Sequence, residues 1–94
     1  MSVYVVTWNL NNERSGYDKA RRDFIENLEK YENVNDGGLE SVRWISTSST
    51  ADEVSAFLRT KMDDNDRLFV SKLHSGHHQG WLQKTTWAWI NARL

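Results

Sequence analysis

Three imidazoles stand within five residues, His74, His77 and His78, set among Ser75-Gly76 and Gln79-Gly80. Imidazole can ligate Zn²⁺ or Ni²⁺, and it can take or give a proton near neutral pH. A metal site would need the adjacent His77 and His78 to turn toward one point, and no nearby Cys or carboxylate completes such a set. The string therefore reads as a solvated loop, with His77 and His78 as its candidates for a general base. Asn9 closes the run Thr7-Trp8-Asn9-Leu10-Asn11 and would bond its side chain to the turn that follows, as would Asn11 and Asn12. Glu13 is the nearest carboxylate. Arg14, Lys19, Arg21 and Arg22 form the clearest local positive cluster and are the candidate nucleic-acid contacts, diluted by Asp18, Asp23 and Glu26. Asp63-Asp64-Asn65-Asp66 lacks defined metal-ligand spacing and reads as a solvated turn. Trp81, Trp87 and Trp89, near Lys84 and Arg93, could stack on single-stranded bases or could close the far side of a sheet.

Strands and helices must hold these groups. Val3 to Leu10 is β-branched and aromatic on both alternating faces, the pattern of a central strand. Tyr17, Ala20, Phe24, Ile25, Leu28 and Tyr31 recur at helical spacing, behind an imperfect capping box of Ser15 and Asp18. Asp36-Gly37-Gly38 offers positive-φ positions for a tight turn, and Leu39 to Thr47 reads as strand, with an extra short strand within Val34 to Glu40 left open. Thr50 and Glu53 form an S/T-x-x-E box ahead of Val54, Phe57, Leu58 and Met62, so a second helix starts there and stops near Met62. Leu68 to Leu73 supplies another strand. Trp81 to Leu94 is either a short strand with a helical turn or a helix, because Thr85 and Thr86 interrupt its apolar stripe.

Strand, helix, one or two strands, helix and strand make two split β-α-β units, for which the α+β ferredoxin-like βαββαβ sandwich with an antiparallel sheet is the simplest closed solution. The expected organisation is one domain over 1–94, with a core over 1–74 and a loop and Trp-rich tail over 75–94. Two helices cover one face of the sheet. The other face needs the tail or a second copy of the chain. At 94 residues the core is small, and five Trp, three Tyr and three Phe supply large buried area per side chain. Cys is absent, which removes disulfides, thiolate zinc sites and thiol nucleophiles and suits a reducing compartment, the cytoplasm by default. No secretory leader pattern or bilayer-length apolar run is present, so membrane insertion is not expected. With twelve Lys and Arg against thirteen Asp and Glu, the net charge of −1 provides no global attraction to polyanions.

Several short motifs together resemble one family. The Thr-aromatic-x-Leu-Asn strand end, Leu39-Glu40-Ser41 leading into a Trp-containing strand, Thr50-Ala51-Asp52-Glu53, Asn65-Asp66-Arg67-Leu68-Phe69-Val70 and the closing Trp89-Ile90-x-x-x-Leu94 look like the small SinR-like proteins. That family is similar in turn to the VapD ribonucleases and to the small CRISPR-associated endonuclease of spacer acquisition. The resemblance implies a ferredoxin-like homodimer and, at the end of the first strand, an Asp that binds metal or acts in catalysis. Here that position is Asn9. Mg²⁺ is a hard cation that organises phosphodiester attack through charged oxygen ligands, and an amide oxygen is a poor substitute.

The expectation is therefore a homodimeric binding or assembly module that has lost metal-dependent nuclease chemistry and needs no cofactor. A weak or metal-independent VapD-like endoribonuclease or nucleic-acid-binding protein is the alternative, with Asn9, His77 and His78 as its catalytic candidates and Mg²⁺ only if metal hydrolysis survives. An antitoxin-like or regulatory partner protein is the second alternative.

Overall fold

The first strand, β1 (Ser2–Asn9), is flanked on both sides, by β3 (Val42–Thr47) and β4 (Arg67–Lys72), and both pairings are antiparallel. The computed structural model describes residues 1–13 and 15–94. A three-residue strand, β2 (Glu32–Val34), pairs with β3 at the other edge, giving the order β2-β3-β1-β4. Helices α1 (Tyr17–Leu28) and α2 (Ala51–Arg59) supply the two crossovers, and α3 (Lys84–Asn91) follows β4. The architecture is the ferredoxin-like α+β sandwich, extended by a third helix.

Alternation along β1 divides its side chains between two cores, as expected of a strand apolar on both faces. Tyr4, Val6 and Trp8 pack with Phe24 and Leu28 of α1, Val54 and Leu58 of α2, and Ile45 of β3. The Trp8 and Phe24 rings meet at 5.1 Å between centroids, tilted by 51°. Val3 packs on the opposite face with Trp44 and Ile90, joined by Val5, Val34, Leu82, Trp87 and Trp89. The tail therefore covers the far face over β1, β2 and β3 from within the chain. Thr86, which interrupts the apolar stripe in sequence, is buried in α3 with its hydroxyl donating to Asp36 Oδ2 at 3.1 Å. A polar residue can occupy that buried position because its partner is supplied.

Local chemistry sets the boundaries. The α2 capping box is present in both directions, with Glu53 N–H donating to Thr50 Oγ1 at 3.1 Å and Thr50 N–H donating to Glu53 Oε1 at 2.8 Å. This helix ends at Arg59, three residues before Met62. Ser15 does not cap α1. Its N-cap is Gly16 at φ 73° and ψ 25°, a left-handed conformation that a Cβ would strain. The first helix stops at Leu28, yet Tyr31 beyond it still packs on the core, edge-on to Phe57 at 5.8 Å. That contact explains why the apolar periodicity runs past the helix. The hairpin strand falls at 32–34, earlier than the 34–40 window, and β3 begins at Val42. Neither Gly37 nor Gly38 takes a positive φ. The turn is instead made by Asp36, whose Oδ1 accepts from Gly38 N–H at 3.0 Å and whose carbonyl accepts from Leu39 N–H at 2.9 Å.

Candidate functional site

Asn9 lies opposite Arg67 in the β1–β4 register and is exposed. A shallow groove of about 220 Å³ runs past it, lined by Thr7, Trp8, Asn9, Arg67, Leu68 and Phe69. The side chain that ties the following turn is Asn11, whose Oδ1 accepts from Glu13 N–H at 3.1 Å. The carboxylate nearest the end of β1 is supplied by the acidic turn before β4. Asp66 is buried, with Oδ1 accepting from Asn11 N–H at 2.7 Å and Oδ2 from Asp63 N–H at 3.0 Å. That turn is thus a solvated one only in part. One of its acids holds the exit of β1 against the start of β4, and an Asp directly preceding a strand gives no sequence signal of such a long-range role. Arg67 Nη1 donates to the carbonyls of Asp64 at 3.2 Å and Asp66 at 2.9 Å, so it is committed to the same turn.

The histidines lie at the other end of the sheet. Lys72 is paired with Tyr4, and Leu73 N–H donates to Val3 O at 2.8 Å, so the loop carrying His74, His77 and His78 leaves beside the start of β1. The six-residue separation between Val3 and Asn9 on one strand amounts to about 20 Å. The histidine loop thus departs from the end of the sheet opposite Asn9. The ring of His78 stacks on Trp87 at 6.2 Å and 18°, its Nδ1 is 3.0 Å from His74 O, and the His74 and His77 rings meet edge-on at 6.3 Å. His78 thereby packs its loop against α3. Among the described residues no group of three or more His, Asp or Glu is arranged to hold a metal.

The basic cluster also divides. Lys19 pairs with Asp23 at 2.8 Å, and its ammonium holds the Asp23 carboxyl below the ordinary 3.8. It borders a groove of about 550 Å³ between the start of α1 and the end of α2. Arg21 lines a different groove, of about 450 Å³, beside Tyr17, Asp36 and Arg43. Arg22 is exposed on α1, and Arg14 lies outside the described residues. Lys19 and Arg21 therefore do not present one continuous positive surface.

Asp36 is the residue that sequence reasoning treated most modestly. Besides closing its own turn, its Oδ2 accepts from Gln83 N–H at 2.9 Å and from the Thr86 hydroxyl at 3.1 Å. Gln83 is the N-cap of α3 and offers no side-chain cap of its own. A carboxylate 47 residues upstream thus supplies the N-terminal anion that this helix prefers. The Gln83 N–H, then that of Gly38, holds the Asp36 carboxyl below the ordinary 3.8, with the Thr86 hydroxyl adding to the effect against the opposing cost of burial. At the far end of α3, Arg93 bonds Glu32 of β2 and lies over the Trp89 ring at 4.1 Å. Both ends of the helix are fastened to the β2 side of the sheet.

No family model matches the chain, and no curated protein matches it. No helix among the described residues is long and apolar enough to cross a membrane.

Because α3 is fastened on the β2 side, the β4 side of its face is left open. Phe69, opposite Thr7 on that face, is 64% exposed, and Trp81 on the segment leading into α3 is 99% exposed. The outer edge of β4 is open as well. The bond from Leu73 N–H to Val3 O fixes the parity, so Arg67, Phe69 and Ser71 direct their backbone groups toward β1, and Leu68, Val70 and Lys72 direct theirs outward. Among the described residues no backbone hydrogen bond from another element reaches those three.

Proposed function

We propose that the chain is a homodimeric binding or assembly module of SinR-like type, working without metal-dependent phosphodiester chemistry. The observation that carries this reading is the exposed Phe69 on an edge strand whose outward backbone groups are open, since a long unpaired edge bearing a large apolar side chain is a template for another chain. Its supports are the amide at Asn9, where the resemblance implies an acid, and the departure of the histidine loop beside Val3, about 20 Å along β1 from Asn9. The absence of Cys accords with work in a reducing compartment such as the cytoplasm.

The test is light scattering on the purified protein over a concentration series, together with RNA and DNA cleavage assays in Mg²⁺ and Mn²⁺ on the wild type and on Asn9→Asp. A dimer without hydrolysis in the wild type is expected. A monomer at high concentration would overturn the reading, and wild-type cleavage that His77→Ala or His78→Ala abolishes would replace it with the nuclease alternative. Cleavage gained only by Asn9→Asp would show that the scaffold retains the geometry and lacks only the charge.

A further inference from the structure

We propose that the groove between the first half of α1 and the segment 35–43 binds a small phosphate ester, with Arg43 and Arg21 holding the phosphate and Tyr17 and Leu39 receiving the organic part. This site is independent of whether the chain self-associates.

Arg43 stands opposite Val6 in the β1–β3 register, so its side chain lies on the sheet face that α1 covers. That side chain is only 12% exposed. One corner of its guanidinium, Nη1, donates to Asn33 Oδ1 at 2.8 Å and faces Glu29 Oε2 at 3.8 Å, a loose ion pair with a largely solvated carboxylate. The other edge, Nε and Nη2, has no acceptor among the described residues, and Nε is buried without any hydrogen-bond partner. Nη1 thus accounts for the tie between β3 and β2 and leaves the Nε–Nη2 edge unused. A buried charged donor without an acceptor is costly, and because Nε is closed to bulk water its acceptor has to enter by the groove. The two N–H groups of such an edge are parallel and spaced to grip two oxygens of one carboxylate or phosphate.

The groove that Arg43 lines, of about 450 Å³, is within the size range of small-molecule sites and far larger than a phosphate alone. Arg21, one helical turn beyond Tyr17, lines it too, and this exposed guanidinium has no ion-pair partner among the described residues. Asp36 does not compete for either arginine, because its carboxylate already accepts from Gly38, Gln83 and Thr86. Glu40 also lines the groove, but it is exposed and its charge is screened. A carboxylate ligand would spend both oxygens on the Arg43 edge. A phosphate has oxygens left for Arg21 and further negative charge to set against the second guanidinium. Half-buried Tyr17 and Leu39, which is 41% exposed, give apolar surface in the same lining for the group that the phosphate is attached to.

Phenyl phosphate is the probe, titrated calorimetrically into the purified protein. Saturable binding to one site per chain, with a Kd of about 0.1–1 mM, is expected, and benzoate should bind at least about tenfold more weakly. Arg21→Gln changes only an exposed side chain and should weaken phenyl phosphate about tenfold. Arg43→Lys keeps the charge, removes the paired N–H edge and should weaken it at least as much. Lys61→Gln, in the separate groove between α1 and α2, should change nothing. Should Arg43→Lys fail to fold, the wild-type Arg43 Nε–H resonance reads the same edge by NMR, and it should shift with phenyl phosphate and not with chloride at equal ionic strength. No saturation by about 10 mM, an affinity that Arg21→Gln leaves unchanged, an Nε–H resonance that stays in place, or an equal loss in Lys61→Gln overturns the site. Benzoate binding as tightly as phenyl phosphate overturns the phosphate assignment, and inorganic phosphate binding as tightly overturns the part given to Tyr17 and Leu39.

Discussion

Replacing Ile90 with Ala is expected to destabilise the protein by about 3 kcal/mol, which is a large share of what holds a domain of this size. The side chain is 1% exposed and lies between Val3 of β1 and Trp44 of β3 at the centre of the second core. Three carbons are removed, which at about 0.8 kcal/mol per buried methylene is about 2.4 kcal/mol of lost transfer energy. The remaining cavity adds to this, and the total falls within the range of about 2–5 kcal/mol measured for such truncations. Incomplete collapse is expected because α3 is pinned at both ends, by Asp36 at its start and by Glu32 through Arg93 at its finish, and cannot settle freely onto the sheet. A domain of 94 residues is held by roughly 5–14 kcal/mol in all, so the midpoint of urea unfolding should move conspicuously. Urea titration followed by far-ultraviolet circular dichroism and by Trp fluorescence is the assay, since Trp44, Trp87 and Trp89 all lie in or against this core. Ile90→Val should cost only about 0.5–1.5 kcal/mol on the same scale. A loss below about 1 kcal/mol for Ile90→Ala, with fluorescence unchanged, would refute the placement of Ile90 in a tightly packed core beneath α3.

Three further outcomes follow from individual contacts. Asp36→Asn should loosen α3 and remove a specific acid sensitivity. The folded carboxyl is held below its ordinary 3.8, so its contribution is in full force above that pH and fades as pH falls from there through the folded value. An acid titration of Trp fluorescence should show a component below about pH 4 in the wild type that the variant lacks, and identical curves would reject the role. Thr50→Ala should cost about 1 kcal/mol, read as a fall in thermal midpoint of about 5 °C, because it removes the acceptor that satisfies Glu53 N–H at the start of α2. Phe69→Ser should leave the monomer fold nearly unchanged, since the ring is 64% exposed, while weakening self-association in sedimentation; a strong loss of thermal stability at concentrations where the protein is monomeric would place the ring in the core instead.

The parts of the fold that could be read in advance were those in which one residue type has one physical use. The capping box of Thr50 and Glu53 satisfies helix donors wherever it occurs, and α2 begins where it stands. A run such as Val3 to Trp8, apolar at both odd and even positions, can be buried only with a layer on each side, and it lies between α1 and α2 on one face and α3 on the other. Signals with several uses misled. Tyr31 extended a helical period although it packs from beyond the helix, and Ser15 looked like a cap although Gly16 takes the position. Asp36-Gly37-Gly38 looked like a glycine turn although the carboxylate does the turning. The candidate site was the least legible part. Asn9 and the histidines each carry potential chemistry, and it is the β1–β4 register, with Asn9 opposite Arg67 and Tyr4 opposite Lys72, that starts the histidine loop at the end of β1 away from Asn9.

By itself, the sequence determined the alternation of strands and helices, two helices on one face, a small aromatic-rich core, and an amide, Asn9, at the end of the first strand. These are properties of local periodicity and side-chain chemistry, which short windows contain in full. Tertiary structure decided how the far face of the sheet is closed, which carboxylates are buried, and which edge stays open. Asp36 meets Gln83 across 47 residues and Asp66 meets Asn11 across 55, and pairings over such distances depend on the path of the whole chain. With α3 drawn toward β2 by those anchors, Phe69 and the outer edge of β4 are what remain uncovered.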